Sequence, residues 1–97
     1  MKNKLLEWLK SNKNQPMDFD DNKNRLTIKP KDDFVTIKYW EPRQIKGTST
    51  YFWYSISEIR ITPEFLESCD KYDELAEFLF EKLSEGGNHE VRLKKPA

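Results

Sequence analysis

The chain has 97 residues, 17 basic and 17 acidic side chains, and a formal net charge of zero. This length predicts a single domain spanning residues 1–97, and the lone Cys69 excludes an intrachain disulfide. No apolar run approaches the roughly 20 residues that cross a bilayer, and the apolar start is too short for a signal peptide. We therefore expect a cytoplasmic protein with no contact to a membrane.

The first third of the chain predicts a helix followed by a hairpin. Residues 2–12 place four apolar side chains on one helical face, and a polar segment ending at Pro16 stops the helix. Apolar residues then alternate with polar ones on both sides of residues 20–24, whose Asp and Asn side chains favour a turn.

Two longer strands are predicted next, at residues 34–40 and 48–56, joined by a loop from Glu41 to Gly47. Their alternation sorts the side chains into two faces. One face is expected to pack against a helix and carries Val35, Ile37, Tyr39, Phe52, Tyr54 and Ile56. The alternation of apolar and polar residues then shifts by one position, because Ile59 and Ile61 are out of phase with Ile56. This shift predicts a β-bulge or a strand break near Ser57 and Glu58.

The last third predicts a long helix and a final strand. Thr62 and Pro63 form a strong helix start, and Gly86-Gly87 a natural end. Asp70 resembles a second cap, so the helix is expected to kink or restart near Cys69. Residues 90–94 alternate as an edge strand. The order predicts an α+β fold, with a mainly antiparallel sheet of about five strands, a short N-terminal helix and a long helix on one face.

The residues favour neither catalysis nor a metal site. Cys69 and His89 cannot supply a tetrahedral zinc set, and a structural cysteine and a surface histidine are expected. In residues 18–24, side chains with oxygen atoms that could bind calcium stand at alternate positions, as in a calcium-binding loop. However, Lys23 stands where an EF-hand needs glycine, and Lys29 where it needs the closing glutamate. We expect no enzyme activity, cofactor or metal.

Charge is distributed unevenly, with +4 over residues 1–48 and −4 over residues 49–97. Five acidic residues follow helical spacing along one side of the long helix: Asp70, Glu74, Glu77, Glu81 and Glu85. Like charges four residues apart cost a few tenths of a kcal/mol per pair, so the row does not serve helix stability. Such a row fits a basic protein surface, as in inhibitor or immunity-type occlusion of a nucleic-acid-binding site. The alternative is a solvated face that maintains solubility.

A second candidate surface is the sheet face opposite the long helix, with its adjoining loop: Lys38, Trp40, Arg43, Lys46, Tyr51 and Trp53. Aromatic rings among cations can stack the bases of single-stranded nucleic acid, at about 1–3 kcal/mol per base. Coverage of this face by the N-terminal helix is the competing interpretation. The leading hypothesis is a non-catalytic protein-binding domain, with a single-stranded nucleic-acid-binding protein as the alternative. The sequence predicts neither the partner nor the oligomeric state.

Overall fold

The computed structural model describes residues 1–11 and 13–93, which form an α+β fold. In chain order the elements are α1 (Lys2–Ser11), β1 (Met17–Asp20), β2 (Arg25–Pro30), β3 (Val35–Gln44), β4 (Tyr51–Ile61), α2 (Pro63–Ser68), α3 (Tyr72–Glu85) and β5 (Gly87–Val91). This confirms the predicted fold class. In the described part, no helix combines the length and apolarity that a membrane crossing requires.

The five strands form one sheet in the order β1-β2-β3-β4-β5. The first four strands are antiparallel neighbours, whereas β5 lies parallel to β4. The predicted turn between β1 and β2 is confirmed. The Asp21 carboxylate accepts hydrogen bonds from the backbone N–H groups of Lys23 and Asn24, at 3.0 and 2.7 Å. These bonds hold the pKa of Asp21 below its usual range.

The one-residue shift of the apolar alternation in the sequence corresponds to a β-bulge in β4. Tyr39 of β3 is paired with Ser57, whereas the next residue, Trp40, is paired with Ser55. Ile56 is therefore the extra residue, one position before the predicted site. Because the bulge shifts the alternation by one residue, Ile59 and Ile61 both enter the core.

The predicted break in the long helix is confirmed, but its cap is different. Thr62 caps α2 by accepting a hydrogen bond from the N–H of Phe65 at 3.4 Å, and α2 ends at Ser68. The prediction that Asp70 caps the second helix is wrong. Lys71 occupies the N-cap position of α3 and makes no side-chain cap hydrogen bond.

One hydrophobic core lies between the sheet and the two longer helices. α1 and α3 pack side by side on the same sheet face, and their inward side chains are almost wholly buried together with those of β2, β3 and β4. The prediction that Val35, Ile37 and Tyr39 face a helix is confirmed, because they are buried together with Leu75 and Leu79 of α3. The core side chains below 1% exposure are Leu5, Leu9, Leu26, Ile28, Ile37, Ile59, Ile61, Leu79 and Leu83.

The predicted burial of Phe52 and Tyr54 is wrong, because these side chains are 47% and 46% exposed. They do lie on the helix-bearing face of the sheet, but α3 ends before reaching them. The Ser57 hydroxyl donates a hydrogen bond to the Leu83 carbonyl at 2.6 Å, which fixes the last turn of α3 beside the bulge. The strands continue beyond that point, where none of the described helices lies over them.

The final strand begins earlier than predicted. β5 spans Gly87–Val91 and runs parallel to β4, because the helical crossover returns the chain to the same end of the sheet. Leu93 lies after the strand and is exposed, and residue 94 falls outside the described residues.

Candidate functional site

The acidic row is a surface on the outer side of α3. We name Asp70, Glu74, Glu77, Glu81 and Glu85 the acidic helix face; all five are exposed. Asp70 lies in the connection before α3 and the other four lie on the helix. Among the residues described, Glu85 lies 3.6 Å from the Lys82 ammonium, whereas the other four members of the face form no ion pair. Four carboxylates thus present unpaired charge to solvent.

An aromatic side chain that the sequence analysis did not single out borders this face. Phe78 is 43% exposed although it belongs to the helix that supplies much of the core. It follows Glu74 by four residues and precedes Glu81 by three, so the three side chains are neighbours on the helix surface. Phe78 follows Leu75 by three residues, a spacing that buried helical faces also show, so the sequence pattern does not distinguish it from a core residue.

The sheet face opposite α1 and α3 carries the half-buried side chains of Trp40 and Trp53. The ring N–H of Trp40 donates a hydrogen bond to the Thr27 hydroxyl at 2.9 Å, and the Arg25 guanidinium lies 5.9 Å from the ring centroids of both Trp40 and Trp53. The Lys38 ammonium lies 5.5 Å from the Trp40 ring. Coverage by α1 is the wrong interpretation, because the apolar side of α1 packs into the core on the other face.

Ion pairs balance the charge of this sheet face. Arg25 binds both carboxylate oxygens of Asp18, with 2.8 Å from Nε to Oδ1, which lowers the pKa of Asp18. Glu58 lies 3.8 Å from Lys38 and 3.7 Å from Arg60. The face is therefore aromatic but not predominantly basic, which removes part of the electrostatic attraction for nucleic acid.

The two remaining predicted cations do not join that face. Arg43 belongs to β3 and is paired with Phe52. Its guanidinium lies 4.3 Å from the Tyr54 ring, on the helix-bearing side. Lys46 is exposed in the turn at residues 45–50. Only Tyr51 and Trp53, from the predicted set, share a face with Lys38 and Trp40, since side chains alternate along each strand.

The predicted loop after Trp40 is instead a projecting pair of strands. Residues 41–44 continue β3 and pair with residues 51–54, and the turn occupies residues 45–50. We name residues 41–55 the aromatic ribbon. Four of its large apolar side chains are 45–61% exposed: Ile45, Tyr51, Phe52 and Tyr54. The molecule measures 54 × 28 × 23 Å, in keeping with an elongated shape.

Metal-binding clusters and shifted pKa values are the two features of the described residues that bear on catalysis. Within residues 1–11 and 13–93, no group of three or more His, Cys, Asp or Glu side chains could hold a metal ion. Asp18 and Asp21 have lowered pKa values, which makes these exposed carboxylates weaker bases. Burial raises the pKa of Tyr39, and its ring packs edge-on against Phe80 in the fold.

No family model, no curated protein and no solved structure significantly matches this chain.

Proposed function

We propose that the protein is a non-catalytic binding protein that acts by contact with a basic surface on a protein partner. The supporting observation is the acidic helix face, where four exposed carboxylates have no described ion pair. Two of them, Glu74 and Glu81, neighbour the exposed Phe78 on the helix, and the Lys82 ammonium lies 5.7 Å from its ring. The proposal includes a cytoplasmic location and an occluding mode of action, in which the bound partner loses access to its own ligand.

The two parts of this surface contribute differently to binding. The carboxylates create a negative field that accelerates encounter with a basic partner, and this effect weakens as salt screens it. Phe78 offers the kind of large side chain that becomes a binding hot spot when a partner removes it from water. Because the opposite side of α3 is packed into the core, the surface is presented on a rigid element.

The test compares the parent protein with the charge-reversed variant Glu74→Lys/Glu77→Lys/Glu81→Lys. The partner is first isolated from the native host with the parent protein, and association rates are then measured at several salt concentrations. We expect the variant to associate more slowly and with a weaker dependence on salt. The matched control is Glu64→Lys/Glu67→Lys, which reverses two exposed acids on α2.

Two outcomes would separate this function from a solubility role. Equal association rates for the parent and the charge-reversed variant would contradict the proposal. Phe78→Ser provides the second measurement, with an expected loss of about 1–3 kcal/mol in binding, mainly through faster dissociation. The occluding mode requires that the partner's own ligand and this protein compete for binding.

Single-stranded nucleic acid is the second candidate ligand, and it is favoured because, in the part of the chain that the structure describes, both long helices pack on the sheet face opposite Trp40 and Trp53. Retention on immobilised single-stranded DNA at low salt, decreasing as salt rises, would support it. Trp53→Ala should then cost about 1–3 kcal/mol of affinity. The ion pairs of Arg25 and Lys38 with carboxylates make this the weaker proposal.

A further inference from the structure

One edge of the aromatic ribbon is unpaired within the described residues. β5 pairs with β4 only from Ser57 to Ile61, which leaves residues 51–56 of β4 without a described neighbour on that side, the last of them being the bulge residue Ile56. Residues 47–57 contain no charged side chain, and residues 51–54 are four consecutive aromatic residues. An uncharged, aromatic strand with a free row of backbone N–H and C=O groups is a template for pairing with another strand.

The other edge of the ribbon lacks these properties. Beyond Trp40, β3 has no described partner on its outer side, because the pairing with β2 ends at Arg25. That stretch contains Pro42, which has no backbone N–H to donate, and the charged residues Glu41 and Arg43. Proline and charge are the features that natural edge strands use against pairing. The two edges thus differ, and only the β4 edge is suited to another strand.

We propose that a second copy of this chain pairs with that edge, antiparallel and about a two-fold axis at Trp53. Trp53 is the middle of residues 51–55, the part of the unpaired edge that precedes the bulge, so this register uses all of the edge before Ile56. It places Tyr51 opposite Ser55 of the second copy, Phe52 opposite Tyr54, and Trp53 opposite Trp53. The segment is therefore complementary to itself, since large side chains meet smaller or aromatic ones and none of the paired residues is charged.

The exposed area sets the strength of this dimer. An aromatic side chain buries about 150–250 Å² in total, so three half-exposed ones offer roughly 300 Å² per copy, or about 600 Å² for two copies. The backbone and Trp53 add to this area, but the sum stays near or below the ~1,200 Å² lower limit of stable interfaces. The association is therefore reversible and concentration-dependent. It does not depend on the acidic helix face.

The register can be tested by cross-linking in a Cys69→Ser background. Residues paired across antiparallel strands have Cα atoms about 4.5–5.5 Å apart, within the range that a disulfide can bridge. Under mild oxidation, Trp53→Cys should form a cross-linked dimer on the order of tenfold faster than Phe78→Cys, whose cysteine lies on α3. Phe52→Cys and Tyr54→Cys should cross-link when mixed and much less when each is alone.

Sedimentation of the unmodified chain over a concentration series provides the second test. We expect the average mass to rise with concentration, and Phe52→Lys to shift that rise to concentrations on the order of tenfold higher. The matched variant Phe78→Lys should leave it unchanged. A chain that stays monomeric throughout would overturn the proposal. Equal cross-linking rates at residues 53 and 78 would also overturn it, as would a dimer sensitive to Phe78→Lys but not to Phe52→Lys.

Discussion

The acidic helix face and the aromatic ribbon are two exposed surfaces of opposite character. The first lies on α3, whose other side is formed by buried leucines, and it presents charge. The second extends past the core. Its residues 51–55, the first part of β4, present aromatic rings and no charged side chain. Charge acts over about 10 Å at ordinary salt, whereas apolar contact requires touching surfaces. The chain thus separates a surface suited to long-range attraction from one suited to close pairing.

The two regions also differ in what stabilises them. A two-stranded ribbon is marginally stable by itself in water. Here the ribbon continues the β3–β4 pairing of the five-stranded sheet, and Arg43 contributes an ion pair with Glu41 and a cation–π contact with Tyr54. We call the rest of the fold, which contains the hydrophobic core, the body of the molecule. Substitutions in the body should therefore alter the free energy of unfolding much more than substitutions in the aromatic ribbon.

The largest expected effect comes from Ile59→Ala. Ile59 is fully buried in β4, so the change should lower the free energy of unfolding by about 2–5 kcal/mol. Phe52→Ala, in the ribbon part of the same strand, should cost less than about 1 kcal/mol because Phe52 is already half exposed. Both losses can be measured by denaturant unfolding at protein concentrations below those at which the proposed dimer forms. Equal losses would show that the ribbon packs into the core.

These residues show how far the sequence could predict the fold. Alternation within a strand identifies its two faces, and it correctly placed Val35 and Ile37 on one side of the sheet. Alternation does not show how far a covering helix extends, so Phe52 and Tyr54 were assigned to a core that ends beside Ser57. The helix would have to continue past Gly86 to cover them.

The position of α1 was unpredictable for a related reason. Its spacing of apolar residues requires a surface to cover, but both sheet faces contain apolar or aromatic side chains. The structure places α1 beside α3, where Leu5, Trp8 and Leu9 complete one core. The acidic helix face was predictable, because residues opposite a buried helical stripe must face solvent. The ribbon was not, because Pro42 and the polar residues after it indicated a loop rather than a strand.

The next expected effect concerns the junction between the body and the ribbon. Ser57 is buried, and its hydroxyl donates to the Leu83 carbonyl at 2.6 Å beside the bulge. Ser57→Ala should lower the free energy of unfolding by about 1 kcal/mol, since it removes one buried hydrogen bond. Amide exchange should accelerate in the last turn of α3. Ser84→Ala is the control, because its hydroxyl bonds within the helix in an exposed position. Unchanged exchange at the end of α3 would contradict this role.

A smaller effect is expected from the pair formed by Asp18 and Arg25 at the base of the ribbon. The pair lowers the pKa of Asp18, so its stabilisation is complete above the usual aspartate pKa of about 3.9. It is lost as pH falls through the lower value in the folded protein. Because both side chains are partly exposed, the contribution is at most about 1 kcal/mol.

The substitution Asp18→Asn isolates that contribution. The free energy of unfolding should be lower than the parent's near neutral pH, and the two should converge as the solution is acidified. Asp21, whose pKa is lowered by backbone N–H groups, remains in both proteins and does not affect their difference. A constant difference from neutral to acidic pH would contradict an electrostatic role for the pair.

The smallest expected effects have opposite signs on the two surfaces. Glu77 lies four residues before Glu81 and three after Glu74, so Glu77→Lys should relieve repulsion and raise the free energy of unfolding by a few tenths of a kcal/mol. Glu41→Lys should lower it by a similar amount, because it replaces the ion pair with Arg43 by two like charges. High salt should reduce both differences. If Glu77→Lys destabilised the fold instead, Glu77 would have a structural partner, and the acidic helix face would not be free for binding.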